Sequence, residues 1–330
     1  MIGPALVAPD SFKGTLRAVE VAAAVSHGLR EGGVEAVPLP VADGGEGTLE
    51  ALTSALGGEL ARATVADPLG RAVEAQYALI DAREPTGVVE CARASGLGLV
   101  AEAERDALAA STRGTGELIA AAAEAGARKV IVTVGGSATT DGGAGALEAL
   151  DEAGVKPKLE VWCDVRTPWE AAARTFGSQK GADADTLKRL AQRLTRLAAK
   201  APKDPRGVPM TGAAGGLAGG LWAWRGAQLV PGAPAVLNAI GFDELMRASA
   251  FVVTGEGRVD RQTFQGKAVF EVATRARQSG VACHAIVGDS TLEPFEERIL
   301  DLQTVSVATT PAELTTAGRA LARSVLASVE

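Results

Sequence analysis

At 330 residues the chain is longer than one hydrophobic core usually grows, so two domains are expected. A net charge of −7 argues against a broad nucleic-acid or anionic-membrane surface, since either needs a basic patch that releases counterions. The three cysteines, Cys91, Cys163 and Cys283, form no C-x-x-C pair and read as buried thiols in a reduced compartment. No apolar run approaches the ~20 residues that span a bilayer, and the opening MIGPALVAPD lacks the charged start of a signal peptide. The cytoplasm is the expected location.

Taken in chain order, 5–8 reads as a strand broken by Pro9. A helix over 18–30 follows, with Val21, Val25 and Leu29 on one face. Next come a strand over 35–41 and a helix over 48–56. Strands are also expected over 88–91, 129–134, 159–163, 251–254, 281–287 and 304–307. Helices are expected over 117–124, 185–199, 267–277 and 312–328. In the second of these, Leu187, Leu190, Leu194 and Leu197 make one apolar stripe that reads as core packing. Strands alternating with helices mean an α/β fold with a mostly parallel sheet. The stretch 200–235 breaks the rhythm, being rich in Gly and Pro with no clear strand.

Polar residues collect where predicted strands end. The loops are APDSFKGT (8–15), ADGGEGT (42–48), GGSATTDGGAG (135–145) and TGEGRVDRQT (254–263). Carboxyl ends of parallel strands are where open α/β sheets bind ligands. Glycines there let backbone N–H groups face an anion, and a following helix adds its positive end. Each loop also carries a carboxylate, and Asp43, Asp141 and Asp260 can equally be read as helix caps. There is no G-x-x-x-x-G-K-[ST] loop, no complete G-x-G-x-x-G dinucleotide fingerprint and no G-x-S-x-G elbow. The only histidines, His27 in a helix and His284 in an apolar strand, read as structural. What remains is carboxylates, Lys, Arg and glycine loops. That inventory suits phosphoryl transfer, in which the protein positions groups and neutralises charge.

These loops resemble those of the bacterial glycerate kinase family. The matching stretches are APDSFKGTL (8–16), PVADGGEGT (40–48), STRGTGELI (111–119), GGSATTDGGAG (135–145), GAAGGLAGGL (212–221) and TGEGRVDRQTFQGKA (254–268). They run in the family's order along nearly the whole chain. The resemblance implies ATP-dependent phosphorylation of D-glycerate, with 2-phosphoglycerate as product and Mg²⁺ as cofactor. It also implies two α/β domains with the active site in the cleft between them. One, flavodoxin- or Rossmann-like with a parallel sheet, would comprise 1–63 plus 240–330; the other, a mixed α/β domain, would comprise 64–239. No nucleic-acid or membrane partner is expected, and the protein would be a monomer or homodimer.

On that resemblance Lys13, Asp43, Arg258 and Asp260 are the expected catalytic residues. Lys13 and Arg258 would meet the glycerate carboxylate or the transferring phosphoryl group, while Asp43 and Asp260 share the base and Mg²⁺ roles. Asp10, Ser11, Glu46, Arg113 and Glu256 are expected to bind substrate. Gly135, Gly136, Ser137, Thr139, Gly142, Gly143, Lys180 and Lys267 are expected to hold the nucleotide, with Asp43 and Asp141 on the metal. Lys180 and Lys267 can also be read as solvated surface charges. The chain departs from the family pattern over 163–182, where CDVRTPWEAAARTFGSQKGA has Thr167, Trp169 and Ser178 in place of Asn, Leu and Pro. The family's longer segment between the GGSAT-x-DGGAG motif and the next strand is also shortened here, so that Leu150 reaches Val161 quickly. A weakened paralogue that senses a small hydroxy acid, or a kinase for another such acid, therefore stands as the alternative. A nicotinamide-dependent dehydrogenase is disfavoured by the missing fingerprint.

Overall fold

The computed structural model describes residues 2–81 and 83–328. The chain divides into two compact units, Met1–Asp43 with Glu50–Ala55 and Ala233–Glu330, and Gly44–Leu49 with Leu56–Gly232. The chain opens with β1 (Ala5–Pro9), α1 (Ala18–Glu31), β2 (Ala36–Pro38) and α2 (Thr48–Leu56). It continues through β3 (Glu59–Ala66), β4 (Ala72–Asp81), β5 (Pro85–Glu90), α3 (Ala92–Ser95), α4 (Arg113–Glu124), β6 (Lys129–Thr133) and α5 (Ala144–Ala153). Next are β7 (Lys158–Cys163), α6 (Ala172–Phe176), α7 (Ala184–Ala198), α8 (Leu217–Arg225) and β8 (Gln228–Pro231). The last stretch holds α9 (Gly232–Ala239), α10 (Phe242–Arg247), β9 (Phe251–Gly255), α11 (Ala268–Gln278), β10 (Ala282–Val287), α12 (Pro294–Leu300), β11 (Leu302–Val307) and α13 (Pro311–Ala327).

In the first unit all five strands are parallel, in the order β11-β10-β9-β1-β2. Renumbered within the unit this is 2-1-3-4-5, the flavodoxin-like doubly wound order, and the switch point falls between β1 and β9. β1 is buried at every position, as a parallel strand covered on both faces must be. The predicted stripe of α1 is buried: Val21, Val25 and Leu29 pack with Leu314, Leu321 and Ala322 of α13. The two helices approach so closely that a Cβ at Gly28 would lie 2.0 Å from the Thr315 carbonyl oxygen.

The second unit is built on a mixed sheet, β3-β4-β5-β6-β7-β8, antiparallel from β3 to β5 and parallel from β5 to β8. Its core joins Leu118 and Ile119 of α4, Ala146 and Leu150 of α5, and Leu217 and Leu221 of α8 to the sheet. A smaller cluster gathers Leu190 and Leu194 of α7 around the fully buried Trp169, so the leucine stripe is core packing. The hairpin β3–β4 was not expected from the sequence. Its strands are mostly alanine and charge, with little β-branched signal. The turn between them is closed by Asp67, whose carboxylate accepts from the Leu69 and Arg71 N–H groups at 2.8 and 2.9 Å. The irregular stretch 200–235 also contains α8 and β8. Among the described residues no helix is long and apolar enough to cross a membrane.

The α1–α13 contact yields a sign that propensity alone reverses. Gly→Ala inside a helix ordinarily stabilises by about 0.5–1 kcal/mol. Gly28→Ala here should destabilise by about 3 kcal/mol, because the new methyl meets backbone rather than a movable side chain. The urea unfolding midpoint of the purified variant measures it, and an unchanged or raised midpoint would refute the close approach.

Candidate active site

In the first unit two loops leave the sheet on either side of the switch point. Asp10 and Ser11 follow β1, and Glu256 to Arg258 follow β9. The Asp10 N–H donates to the Gly255 carbonyl at 2.7 Å, locking one loop to the other. The buried Phe12 ring anchors a tight turn closed by the Phe12–Leu16 bridge, which presents Lys13 outward. Lys13 Nζ reaches Asp43 Oδ2 at 3.1 Å, with side-chain exposures of 61% and 2%.

Asp10, Asp43 and Glu256 are all buried. Burial, and then the Asp43 charge, pushes the Asp10 carboxyl well above the usual carboxylate range, against the opposing pull of Lys13. Glu256 is also raised by burial, although Lys267 Nζ at 3.1 Å and the Thr263 hydroxyl at 2.7 Å favour its charged form. Thr263 does double duty, since its Oγ1 also accepts the Asp260 N–H at 3.1 Å. Arg258 Nε stands 3.5 Å from Asp289 and 3.9 Å from Asp260. A cavity of about 310 Å³ opens among Ser11, Lys13, Thr15, Glu256, Arg258 and Lys267.

The second unit carries two glycine loops side by side. A Cβ at Gly135 would sit 3.1 Å from the Gly45 Cα, and one at Gly136 would sit 3.9 Å from Glu46 Oε2. The first loop is held by Glu90, whose Oε1 accepts from the Gly47 and Leu49 N–H groups, both at 2.9 Å. Its Oε2 accepts from Arg93 Nε at 2.7 Å. The second loop is braced by the segment after β5. Leu97 N–H donates to the Gly136 carbonyl, Ala138 N–H to the Ser95 carbonyl, and Cys91 Sγ to the Gly135 carbonyl. Lys180, only 2% exposed, donates to Ser137 Oγ at 3.0 Å and to the Thr139 carbonyl at 2.6 Å.

A model of the glycerate kinase family matches residues 5–156 and 150–329. The chain belongs to the glycerate kinase family. Glycerate kinase from Bacillus subtilis is 40% identical over 323 residues, covering 86% of this chain and 84% of that protein. Glycerate 2-kinase from Escherichia coli is 39% identical over 325 residues, covering 87% and 85%. A crystal structure of a protein described as glycerate kinase 2 from Salmonella typhimurium matches all of both chains with a TM-score of 0.85 at 33% identity. The family's fold and its standing as a kinase thus apply to this chain.

The structure sorts the expected site residues of this family member. Asp10, Ser11, Lys13, Asp43, Glu256, Arg258, Asp260 and Lys267 collect around the switch point of the first unit. Lys267, expected among the nucleotide-binding residues, is there an ion-pair partner of Glu256 rather than a solvated charge. Glu46, Gly135, Gly136, Ser137, Thr139 and Lys180 build the paired loops of the second unit, with Gly142 and Gly143 at the start of α5. Asp141, expected on the metal, has its oxygens taken by the N–H groups of Thr112, Gly143 and Gly145 and by the Thr112 hydroxyl. That is the capping role, and it leaves Asp141 poorly placed to ligate. Arg113, expected to bind substrate, instead pairs with Glu117 and Glu152 on the faces of α4 and α5. His27 pairs with Glu31 on the surface, and His284 packs edge-on against Phe251 while its Nδ1 meets Thr304 Oγ1.

Sequence reasoning missed Glu90, which precedes no recognisable motif, and Thr263, whose hydroxyl has an ordinary capping look. Among the described residues no group of three or more His, Cys, Asp or Glu is arranged to hold a metal ion.

The raised Asp10 carboxyl makes a stability prediction. A carboxyl whose folded value lies above its unfolded one binds more protons folded, so its contribution falls as pH rises through that window. At pH 7.5 Asp10→Asn should therefore raise Tm by about 2–4 °C. The Tm gain should shrink as pH falls toward 4. A variant that melts lower at pH 7.5 would show that the Asp10 charge stabilises the fold.

Proposed function

We propose that this kinase transfers the γ-phosphoryl group of ATP to the 2-hydroxyl of D-glycerate, releasing ADP and 2-phosphoglycerate. The observation that carries the reading is the switch-point cavity of about 310 Å³, lined by the buried Glu256 together with Lys13, Arg258 and Lys267. A three-carbon hydroxy acid suits that volume, and its carboxylate suits Lys13 and Arg258. The name of the Escherichia coli relative favours the 2-position. The cytoplasm, which supplies ATP, is the proposed location.

In this reading the acceptor hydroxyl oxygen forms the new bond to phosphorus as the bond to the β–γ bridging oxygen breaks. Asp43, buried beside Lys13, receives the hydroxyl proton. Lys13 and Arg258 hold the substrate carboxylate and fix the hydroxyl in line. Asp260 is a partly exposed carboxylate of the kind that shares Mg²⁺ with phosphate oxygens. When bound, Mg²⁺ would neutralise charge on the transferring group. Gly135, Gly136 and Ser137 offer backbone and hydroxyl donors to nucleotide phosphates.

The deciding assay follows ADP release from Mg·ATP with and without D-glycerate, with the product identified by ³¹P NMR. Glycerate-dependent release with a 2-phosphoglycerate signal is expected. Asp43→Asn and Asp260→Asn should each lower kcat by about 10²–10⁴ while leaving the melting curve in place. A wild-type protein that glycerate stabilises against heat without any ADP release would overturn the kinase reading in favour of a sensor. Near-normal turnover in either variant would remove that carboxylate from its role.

A further inference from the structure

The second unit packs around two apolar clusters, and a hollow lies on the seam between them. Leu147 of α5 packs against the main core, whereas Leu108 and Leu197 pack against the cluster around Trp169. Between these leucines and the half-buried Trp224 of α8 opens a cavity of about 880 Å³. Close-packed interiors do not leave voids of that size, while small-molecule sites occupy about 300–1,000 Å³. The cavity shares no lining residue with the one at the switch point, and none of Gly135, Gly136, Ser137, Thr139 or Lys180 lines it. It adjoins a second cavity of about 460 Å³, and Leu147, Asp151 and Trp224 line both. Val155, Lys156 and Pro157 close that second cavity. They form the α5–β7 connection, the segment that is short against the family pattern.

The charges lining the larger cavity are not evenly matched. On α5, Glu148 and Glu152 share Arg113, and Asp151 pairs with Arg225 at 2.8 Å. Asp141 has both oxygens held by N–H groups. Arg193 of α7 and the exposed Lys200 just beyond it have no carboxylate within ion-pair distance among the described residues. Arg193 Nη2 donates to the Leu108 carbonyl at 2.8 Å, which fixes the guanidinium in the wall. Its Nε and Nη1 have no partner among the described residues, nor has the Trp224 indole N–H. An indole face takes a flat ring in offset stacking, and a guanidinium edge takes a carboxylate, sulfonate or phosphate. We propose that this hollow binds a planar, largely apolar molecule with one anionic group. The ring lies on Trp224 and the leucines, and the anion meets Arg193 and Lys200. The site goes beyond the kinase reading and does not depend on it.

The test titrates the full chain with 8-anilinonaphthalene-1-sulfonate and with its uncharged counterpart N-phenyl-1-naphthylamine, reading probe fluorescence excited through tryptophan. The sulfonate should saturate one site and bind more tightly than the uncharged ring. Arg193→Gln should weaken the sulfonate by about tenfold and Lys200→Gln by about threefold, with the uncharged ring little changed in either. Trp224→Leu should weaken both probes by about threefold or more. Saturating Mg·ADP should leave the sulfonate bound. Displacement by ADP would give the hollow to the nucleotide and overturn the proposal. An uncharged ring that binds as tightly as the sulfonate, or unchanged sulfonate binding in both cation variants, would overturn it too, as would the lack of any saturable site. If Arg193→Gln fails to fold, Lys200→Gln, whose side chain is exposed, decides together with the probe pair.

Discussion

A carboxylate almost entirely removed from water must be matched by donors, and Glu90 at the end of β5 is matched by Gly47, Leu49 and Arg93. Those bonds fix the glycine loop that follows Asp43 and the first turn of α2. The next residues extend the bracket, since Cys91, Ser95 and Leu97 each bond to the loop that follows β6. One short stretch after β5 therefore sets the positions of both glycine loops. Only glycine lets them lie against each other, as the 3.1 Å approach between Gly45 and the Gly135 Cβ position requires. Donors fixed in advance need no reorganisation when a charged group arrives.

Each unit carries a buried charge arrangement that a fold optimised for stability alone would discard. The first gathers Asp10, Asp43 and Glu256, with burial raising two of the three. The second buries Lys180 without an acid partner. Perturbed groups of this kind collect at functional sites, although structural ion pairs can perturb too. Arg113 is the contrasting case in the same chain, strongly paired on an exposed face and explained without reference to function.

The parts of this architecture that were legible in the sequence are those where one residue pattern has one physical cause. The α1 stripe, the α7 leucines and the glycine loops at strand exits fall in this class. The β3–β4 hairpin was not legible, because alanine-rich strands at a sheet edge carry almost no alternation. Glu90 was hidden for a different reason. Its two loop partners, Gly47 and Leu49, lie more than forty residues away, and nothing local marks a strand-ending glutamate as a loop anchor. Asp141 had two readings in the sequence, cap and metal ligand. Only the hydrogen bonds to both of its oxygens separate them.

The departure from the family pattern over 163–182 could have disabled the glycine loop, and the packing argues against that. Trp169 is fully buried where the family pattern has leucine. Its indole N–H donates to the Leu194 carbonyl at 2.9 Å, and its backbone N–H to Thr211 Oγ1 at 2.9 Å. A larger side chain is tolerated in a core only where its neighbours leave the volume. Here they do, because Cβ atoms at Gly142, Gly216 and Gly219 would each come within 3.1 Å of the indole ring. Gly142 belongs to the loop after β6, and the other two to the glycine-rich GAAGGLAGGL stretch. The indole thus supports the loop from below, and Lys180 ties the same loop to the far end of the altered segment. The changed residues alter how the loop is braced, while the groups it presents stay in place.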